Sequence, residues 1–458
     1  MPGLKLSEIA RITGGRLVGD AGRIGTVAGY AIDSRLLVPG EIFFALKGEA
    51  RDGHEFVEAA FARGAAAAVV ERPIGGLPAE PVQVIVPSAL AALQAIAAHV
   101  RELTQVPVVA ITGSNGKTTT KEMLAHLLAT RLAVRKSPGN FNNHIGLPLS
   151  ILRLGHRDEI LVVELGTNHR GEIAALAKIA RPQVGVVTNV GRAHVGLFGS
   201  VEAVAQEKTD LVRSLGSGGR GVVNADDGLL AAALRDTKVP LTRFGIEARA
   251  EFRASNVDVA TGGSRFTVQG QTVMLKVPGG HNVYNALAAI AAASLFGVSV
   301  KDAAAALPGF EPPRMKAAQF GGITVIDDTY NANPDSMAAA LDVLSLADAG
   351  RRIFVMGEMF ELGDASEDLH REVGSRIPGA RVDLLVGIGE ATRQAVEAAV
   401  EAGMRREQVF WYEARPDAKL ALRRLLRPGD VVLVKASRRA GLEDISDFLK
   451  ASTVAGRA

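Results

Sequence analysis

"VVAITGSNGKTTTKEML", Val108 to Leu124, decides the fold. The apolar run predicts a buried strand, the glycines a tight turn, and the residues from Lys117 onward a helix. A strand that delivers a glycine turn to a helix N-terminus is a cradle for phosphate. Glycines let backbone N–H groups converge on the anion, and the helix dipole favours negative charge there. The common form, G-x-x-x-x-G-K-[ST], needs a glycine five residues before the second one. That position is Ile111, so the loop here is shortened to Thr112-Gly113-Ser114-Asn115-Gly116-Lys117-Thr118. Gly113, Ser114, Asn115, Gly116 and Thr119 are expected around the phosphates. Lys117 is expected to reach the β and γ groups, and the Thr118 hydroxyl to contact Mg²⁺. A plain glycine turn that happens to precede Lys-Thr is the bland alternative, and the strand-turn-helix context speaks against it.

Outward from the loop, continuous apolar runs alternate with helices: "EILVVEL", "VGVVTNV", "RGVVNA". Such runs imply a parallel sheet buried on both faces. From Phe244 to Val277 the pattern alternates and glycines recur, which predicts antiparallel strands. The helix "NVYNALAAIAAASLFG" follows and ends at Gly297. Upstream, "EIFFALKG", "AAAAVVE" and "VQVIV" predict a small α/β unit, closed off by a helix with Ser88 as N-cap. Downstream, the proline-rich "LPGFEPPRMK" is a boundary, after which "GITVIDD", "RIFVMG", "DLLVGIG", "QVFWY" and "VVLVKAS" predict a third, Rossmann-like unit. The expected class is α/β with three domains: 1–86, a central P-loop domain 87–310 with a mostly parallel sheet, and 311–458.

Composition narrows the function. At 458 residues, several domains are the natural expectation, and 47% apolar with 22% charged residues describes a globular chain. A net charge of +3 without any Lys/Arg run gives no reason to expect nucleic acid. No stretch is long and apolar enough for a membrane span, and the N-terminal residues lack an apolar signal core. With no cysteines, disulfides and thiolate chemistry are excluded. A cytoplasmic monomer without membrane insertion is expected.

Four further places carry candidate chemistry. Lys208, in "SVEAVAQEKTDLVRSLG", falls on the apolar stripe made by Val201, Val204, Ala205, Leu211, Val212 and Leu215. It either snorkels to the surface or is a buried amine held neutral, and a neutral amine can take up CO₂ as a carbamate. Glu164 and His194 each follow an apolar run, at the strand ends where parallel sheets bind ligands, and are candidate Mg²⁺ ligands beside Thr118. Asn140, Asn142 and Asn143 crowd the loop "GNFNNHIGLP", and "IDDTYNANPDS" again gathers amides and carboxylates after a strand. The G-x-G of "LLVGIGEATRQA" lacks its third glycine, which is Thr392, and is set aside.

"TGSNGKTTTKEM", "GNFNNHIGLP", "ELGTNHRGEI", "AHVGLFGS", "HNVYNALAA" and "DDTYNANPDSM" resemble the Mur ligases, the ATP-dependent amide-bond-forming enzymes of peptidoglycan synthesis. "AIDSR" and "GEIFFALKGEARDGHEF" extend the resemblance to nearly the whole chain. It implies an N-terminal domain for the UDP end of the substrate, a central ATPase and a C-terminal domain that closes over both. The branch it most resembles adds D-alanyl-D-alanine to a UDP-N-acetylmuramoyl-tripeptide. The resemblance further implies ATP and Mg²⁺, a carbamate made from CO₂ on Lys208, and Mg²⁺ ligation by Thr118, Glu164 and His194. It places Asn285 at the adenine, Arg314 and Asp328 at the nucleotide, and Ser34, Arg35, Asp52 and His54 at the uridine nucleotide. Asn331 and Asn333 would select the dipeptide, and Lys435 and Arg438 would belong to a basic segment that swings onto the site. A nucleotide switch would need an Asn/Thr-Lys-x-Asp motif, which is not found. A folylpolyglutamate synthase or the preceding diamino-acid-adding ligase is a nearer alternative, and "YNANP" in place of Asp-Asn-Pro-Arg argues against the latter.

Overall fold

The computed structural model describes residues 3–77, 81–312 and 315–452. Among these, the strands form three sheets of five, nine and six strands. The first runs in the order Arg16–Val18, Gln83–Ile85, Ala67–Val70, Glu41–Phe44, Gly29–Ala31, and is parallel except for its first pair.

The phosphate-loop strand Val108–Thr112 lies inside the nine-stranded sheet, between Ile160–Glu164 and Val184–Val187, with parallel pairing on both sides. All of its residues are buried because both faces are covered. Val108 and Ala110 pack with helices Ala89–Leu103 and Glu172–Ala180, while Val109 and Ile111 pack with Lys117–Leu128 and Gly280–Ser294. The uninterrupted apolar runs follow from that two-sided cover. The expected antiparallel segment is present with one difference. Phe252–Ala260 first pairs parallel with Leu241–Gly245, and only then antiparallel with Gly263–Val268, which pairs antiparallel with Gln271–Leu275.

Helix Ala89–Leu103, capped by Ser88 as expected, packs on both the first and second sheets, so Ile42, Phe44, Val69 and Val84 share one core with Leu147, Leu161 and Val163. The third sheet, order Lys316–Phe320, Ile323–Asp328, Asp430–Lys435, Arg351–Gly357, Leu384–Ile388, Val409–Tyr412, has apolar clusters of its own. Its first strand was not expected from the sequence. "KAAQF" has little strand propensity, but Gly321 and Gly322, at φ 56° and 82°, make the tight turn that folds it back onto Ile323–Asp328. No described helix is long and apolar enough to cross a membrane.

Candidate active site

The phosphate loop has its shape because two of its positions exclude a side chain. Gly113 and Gly116 sit at φ 145° and 80°, in the region that disfavours L residues. A β-carbon at Gly113 would lie 2.0 Å from Thr188 Oγ1, and one at Gly116 would lie 2.1 Å from Asn285 Oδ1. The loop is stitched to the end of the neighbouring strand. Ser114 N–H donates to Asn189 O and Asn115 N–H to Asn189 Oδ1, both at 2.9 Å, and Thr188 Oγ1 donates to Asn115 O at 2.6 Å. Lys117 Nζ rests on the loop's own carbonyls, 2.8 Å from Gly113 O and 3.2 Å from Ser114 O.

Thr118 Oγ1 donates to Glu164 Oε2 and Asn142 Nδ2 to Glu164 Oε1, each at 2.8 Å, so three residues from separate sequence motifs meet at one buried carboxylate. Asn143 instead accepts the N–H groups of Ile145 and Gly146 and shapes its own loop, while Asn140 is exposed. Lys208 is 1% exposed, which rules out snorkelling. Burial first, then repulsion from Lys117, pulls its ammonium down to about 7 against the attraction of Glu207, Glu164 and Glu172. His194 shares a cavity with Thr118, Asn142 and Glu164, but its Nδ1 pairs with Glu361 of the third domain, which holds that carboxyl below its ordinary range.

The third domain closes the far side of the cleft. Asp328 and Lys435 are register partners at the ends of parallel strands and form an ion pair of 2.5 Å, with Lys435 Nζ also 3.0 Å from Asn331 O. Burial pulls the nearby His281 imidazole down to about 4, against the attraction of Asp328. Asn285 lies beneath the loop, its Nδ2 donating to Asn282 Oδ1 at 3.0 Å. Asn333 caps helix Pro334–Ser345, accepting Ser336 N–H at 2.9 Å, and its Nδ2 donates to Asn115 Oδ1 of the phosphate loop at 2.9 Å. The resulting cleft of about 820 Å³ is walled by Glu49 of the first domain, the phosphate loop, Glu164, Lys435 and the Tyr330–Asn333 turn.

Residues 26–129, 111–293 and 313–438 match, in turn, the models described as Mur ligase family, catalytic domain; Mur ligase middle domain; and Mur ligase, glutamate ligase domain. The UDP-N-acetylmuramoyl-tripeptide–D-alanyl-D-alanine ligase of Bacillus subtilis is 36% identical, covering 96% of this chain and 97% of its own. This chain belongs to the Mur ligase family. The enzyme of the same name from Mycobacterium tuberculosis is 38% identical over 99% of each chain. Among solved structures, MurF from Acinetobacter baumannii superposes with a TM-score of 0.87 at 33% identity, covering 98% of this chain and 99% of that one. MurF ligase from Thermotoga maritima in complex with ADP gives 0.81 at 28% identity, over 93% and 98%.

In this Mur ligase several expected residues hold the fold around the site. Lys435 ends the buried strand Asp430–Lys435 at 2% exposure, and with Asp328 of the same sheet it belongs to the body of the third domain rather than to a loose basic loop. Arg438 opens the next turn with its guanidinium 5.8 Å from the Tyr330 ring. Asp52 accepts the His54 N–H at 3.0 Å, and His54 Nδ1 lies 2.6 Å from Asp52 Oδ1 while its Nε2 accepts Glu71 N–H at 2.8 Å. Both ring nitrogens of His54 are therefore used internally, and the His54 contacts hold the Asp52 carboxyl well below the usual range. Ser34 is buried, and Arg35 is exposed and pairs with Asp33 at 2.7 Å. Arg314 lies outside the described residues.

Thr188, Asn189 and Arg192 were not expected at the site, although "VGVVTNVGR" places them at the carboxyl end of a buried strand, where ligand-site residues gather. Nor was Lys121, fully buried, whose Nζ reaches Ser137 O at 2.8 Å and Gly139 O at 3.0 Å and so ties the phosphate-loop helix to the loop that bears Asn142. At the discarded G-x-G, Ala391 N–H donates to Glu358 Oε1 at 3.1 Å; a carboxylate of the protein occupies that turn.

Proposed function

We infer that this chain is an ATP-dependent ligase that joins D-alanyl-D-alanine to the terminal carboxylate of a UDP-N-acetylmuramoyl-tripeptide, in the cytoplasmic assembly of the peptidoglycan precursor. The observation that carries the reading is the single cleft in which the phosphate loop, the Thr118–Glu164 pair and the Tyr330–Asn333 turn face one another. Relatives of that name match nearly the full length.

A carboxylate is a poor acyl donor. The tripeptide carboxylate attacks the γ-phosphorus of ATP and ADP leaves, giving an acyl phosphate. The dipeptide amine then adds to the acyl carbon, loses a proton, and phosphate departs as the amide forms. The loop N–H groups and Lys117 stabilise charge on the migrating group, and the two domains hold the reactants in line. Thr118 and Glu164 would hold Mg²⁺, with His194 and a carbamylated Lys208 completing the set; the ion supplies charge neutralisation at the phosphates. The residues fit that role, since the hydroxyl and carboxylate oxygens of Thr118 and Glu164 already lie 2.8 Å apart beside the loop. Lys208 fits a carbamate because burial lowers its ammonium towards neutrality and only the neutral nitrogen adds to CO₂, releasing a proton; Lys117 and a bound Mg²⁺ would offset the anion against the nearby carboxylates.

Asn285 is assigned to the adenine, Asp328 and Arg314 to the nucleotide, and Ser34 and Arg35 to the uridine end, with Asp52 and His54 shaping the turn behind it. Asn140, Asn142 and Asn143 line the path of the muramoyl-peptide, and Asn331 and Asn333 face the dipeptide with Lys435 and Arg438 behind them. Phosphate release from ATP that needs both UDP-N-acetylmuramoyl-tripeptide and D-alanyl-D-alanine is the expected result. Release that is equally fast with another amine, or without the UDP-peptide, would refute the assignment.

A further inference from the structure

Arg192 belongs to none of the groups assigned above, yet it joins two domains. It follows the strand Val184–Val187 of the central sheet. Its Nε and Nη2 lie 3.1 and 2.9 Å from Asp335 Oδ1, its Nη1 pairs with Glu372, and its backbone N–H donates to Asp335 Oδ2 at 2.8 Å. Both carboxylates are on the third domain, Asp335 in the first turn of Pro334–Ser345 and Glu372 in Ser366–Arg376. Burial pulls the Arg192 pKa down, but its hydrogen bonds to Glu372 and Asp335 more than offset this, and its side chain is only 26% exposed. A planar cation with several fixed donors suits such a bridge better than a lysine would. Gly191 makes the approach possible, because a β-carbon there would stand 2.4 Å from Asp335 Oδ2.

The same helix start is held a second time. Asn333, two residues before Asp335, donates to Asn115 of the phosphate loop at 2.9 Å. Arg192 and Asn115 thus grip both ends of one turn. That turn continues back to Asn331, whose carbonyl receives Lys435.

We propose that Arg192 is a positioning residue: with Asp335 and Glu372 it forms an interdomain clasp that sets the Asn331–Asn333 turn against the phosphate loop. The proposal rests on the ligase reading, in which that turn faces the acceptor dipeptide. Of the three clasp residues, only Asp335 lines the cleft; Arg192 and Glu372 stand behind it and fix where the acceptor amine sits relative to the activated carboxyl. Misplacement of that kind lowers rate more than it weakens the nucleotide, which the phosphate loop of the central domain still holds.

The test compares wild type with Arg192→Gln and Glu372→Gln by initial rates, varying ATP and D-alanyl-D-alanine separately, and by small-angle scattering. Arg192→Gln should lose roughly tenfold to a hundredfold in kcat/KM for the dipeptide, with a smaller rise in the KM for ATP, which loses Asp328 but keeps the phosphate loop, and should scatter as a more extended particle. Glu372→Gln should shift the same parameters in the same direction by less. A variant as compact as wild type overturns the clasp, and so do losses that fall equally on both substrates, as a general folding defect would give. If Arg192→Gln does not fold by circular dichroism, Glu372→Gln, on a partly exposed helix face, decides by the same criteria. Wild type that releases no phosphate with the dipeptide would sink the ligase reading instead, and scattering would still judge the clasp.

Discussion

Replacing Lys208 by Met should make this protein more stable and, at the same time, inactive. Lys208 sits within helix Val201–Arg213 at 1% exposure, and its burial and the nearby Lys117 lower its pKa from 10.5 to about 7. In the unfolded chain the same amine titrates near its ordinary value. Between these two values the unfolded state holds more protons, so the lysine's contribution to stability rises with pH there. The cost of burying it is complete below the folded value and fades towards the unfolded one. The gap corresponds to roughly 5 kcal/mol, at about 1.4 kcal/mol per pH unit, as an upper figure. At about pH 9.5 only roughly 1 to 2 kcal/mol of it should remain. Methionine keeps most of the length and adapts to the space, so it removes the charge without a large cavity.

The expected outcome is a free-energy difference between Lys208→Met and wild type that is about 3 kcal/mol larger at about pH 6 than at about pH 9.5, in favour of the variant. Urea titration in CO₂-free buffer measures it, and subtracting wild type cancels the groups that are not coupled to Lys208. Adding bicarbonate at neutral pH should narrow the gap, because a carbamate that forms only on the folded chain stabilises wild type by mass action. A difference that does not vary with pH, or a variant less stable than wild type at the lower pH, would refute the reasoning. Ligase activity in the stabilised variant comparable to wild type would separate Lys208 from the mechanism altogether.

How much of this was legible depended on the range of the interaction. The phosphate loop could be read because strand, turn and helix are local, and its glycines are demanded by contacts at 2.0 and 2.1 Å with Thr188 and Asn285. Lys208 could be read as unusual because helical periodicity placed a charge on an apolar face, but periodicity could not say whether the chain would let it out. The structure buries it, within reach of the charges of Lys117, Glu164 and Glu172 from other parts of the chain. Asn142, Thr118 and Glu164 were each visible as polar residues in the right kind of place, and only the tertiary fold joins them. The setting of Lys435 was not legible, because the strand pairing that seats it beside Asp328 comes from Ile323–Asp328, about a hundred residues upstream. His54 shows the same limit: its partners Asp52 and Glu71 turn an apparent ligand residue into a tie within the first domain. Arg192 was overlooked because both of its carboxylates lie in another domain.

Three further outcomes are expected. Lys117→Ala should fold normally and lose roughly a hundredfold to a thousandfold in kcat, measured as phosphate release with both substrates saturating. His54→Ala should lower stability by roughly 2 to 3 kcal/mol in thermal or urea unfolding, by leaving the Glu71 N–H without its acceptor inside the fold, while kcat changes little. Gly116→Ala should abolish nucleotide binding, and the cause can be divided in two. An L residue at φ 80° costs roughly 1 to 3 kcal/mol wherever it stands. The added β-carbon, 2.1 Å from Asn285 Oδ1, must also push that amide off Thr120 and Asn282, to which it is bonded at 3.3 and 3.0 Å. Only the second part depends on Asn285. Unfolding measurements on Gly116→Ala, Asn285→Gly and the double variant should therefore show a double variant more stable than the sum of the single losses, by about 1 kcal/mol or more. Additive losses would mean that backbone strain alone explains the glycine, and that the amide beneath the loop does not help to set its shape.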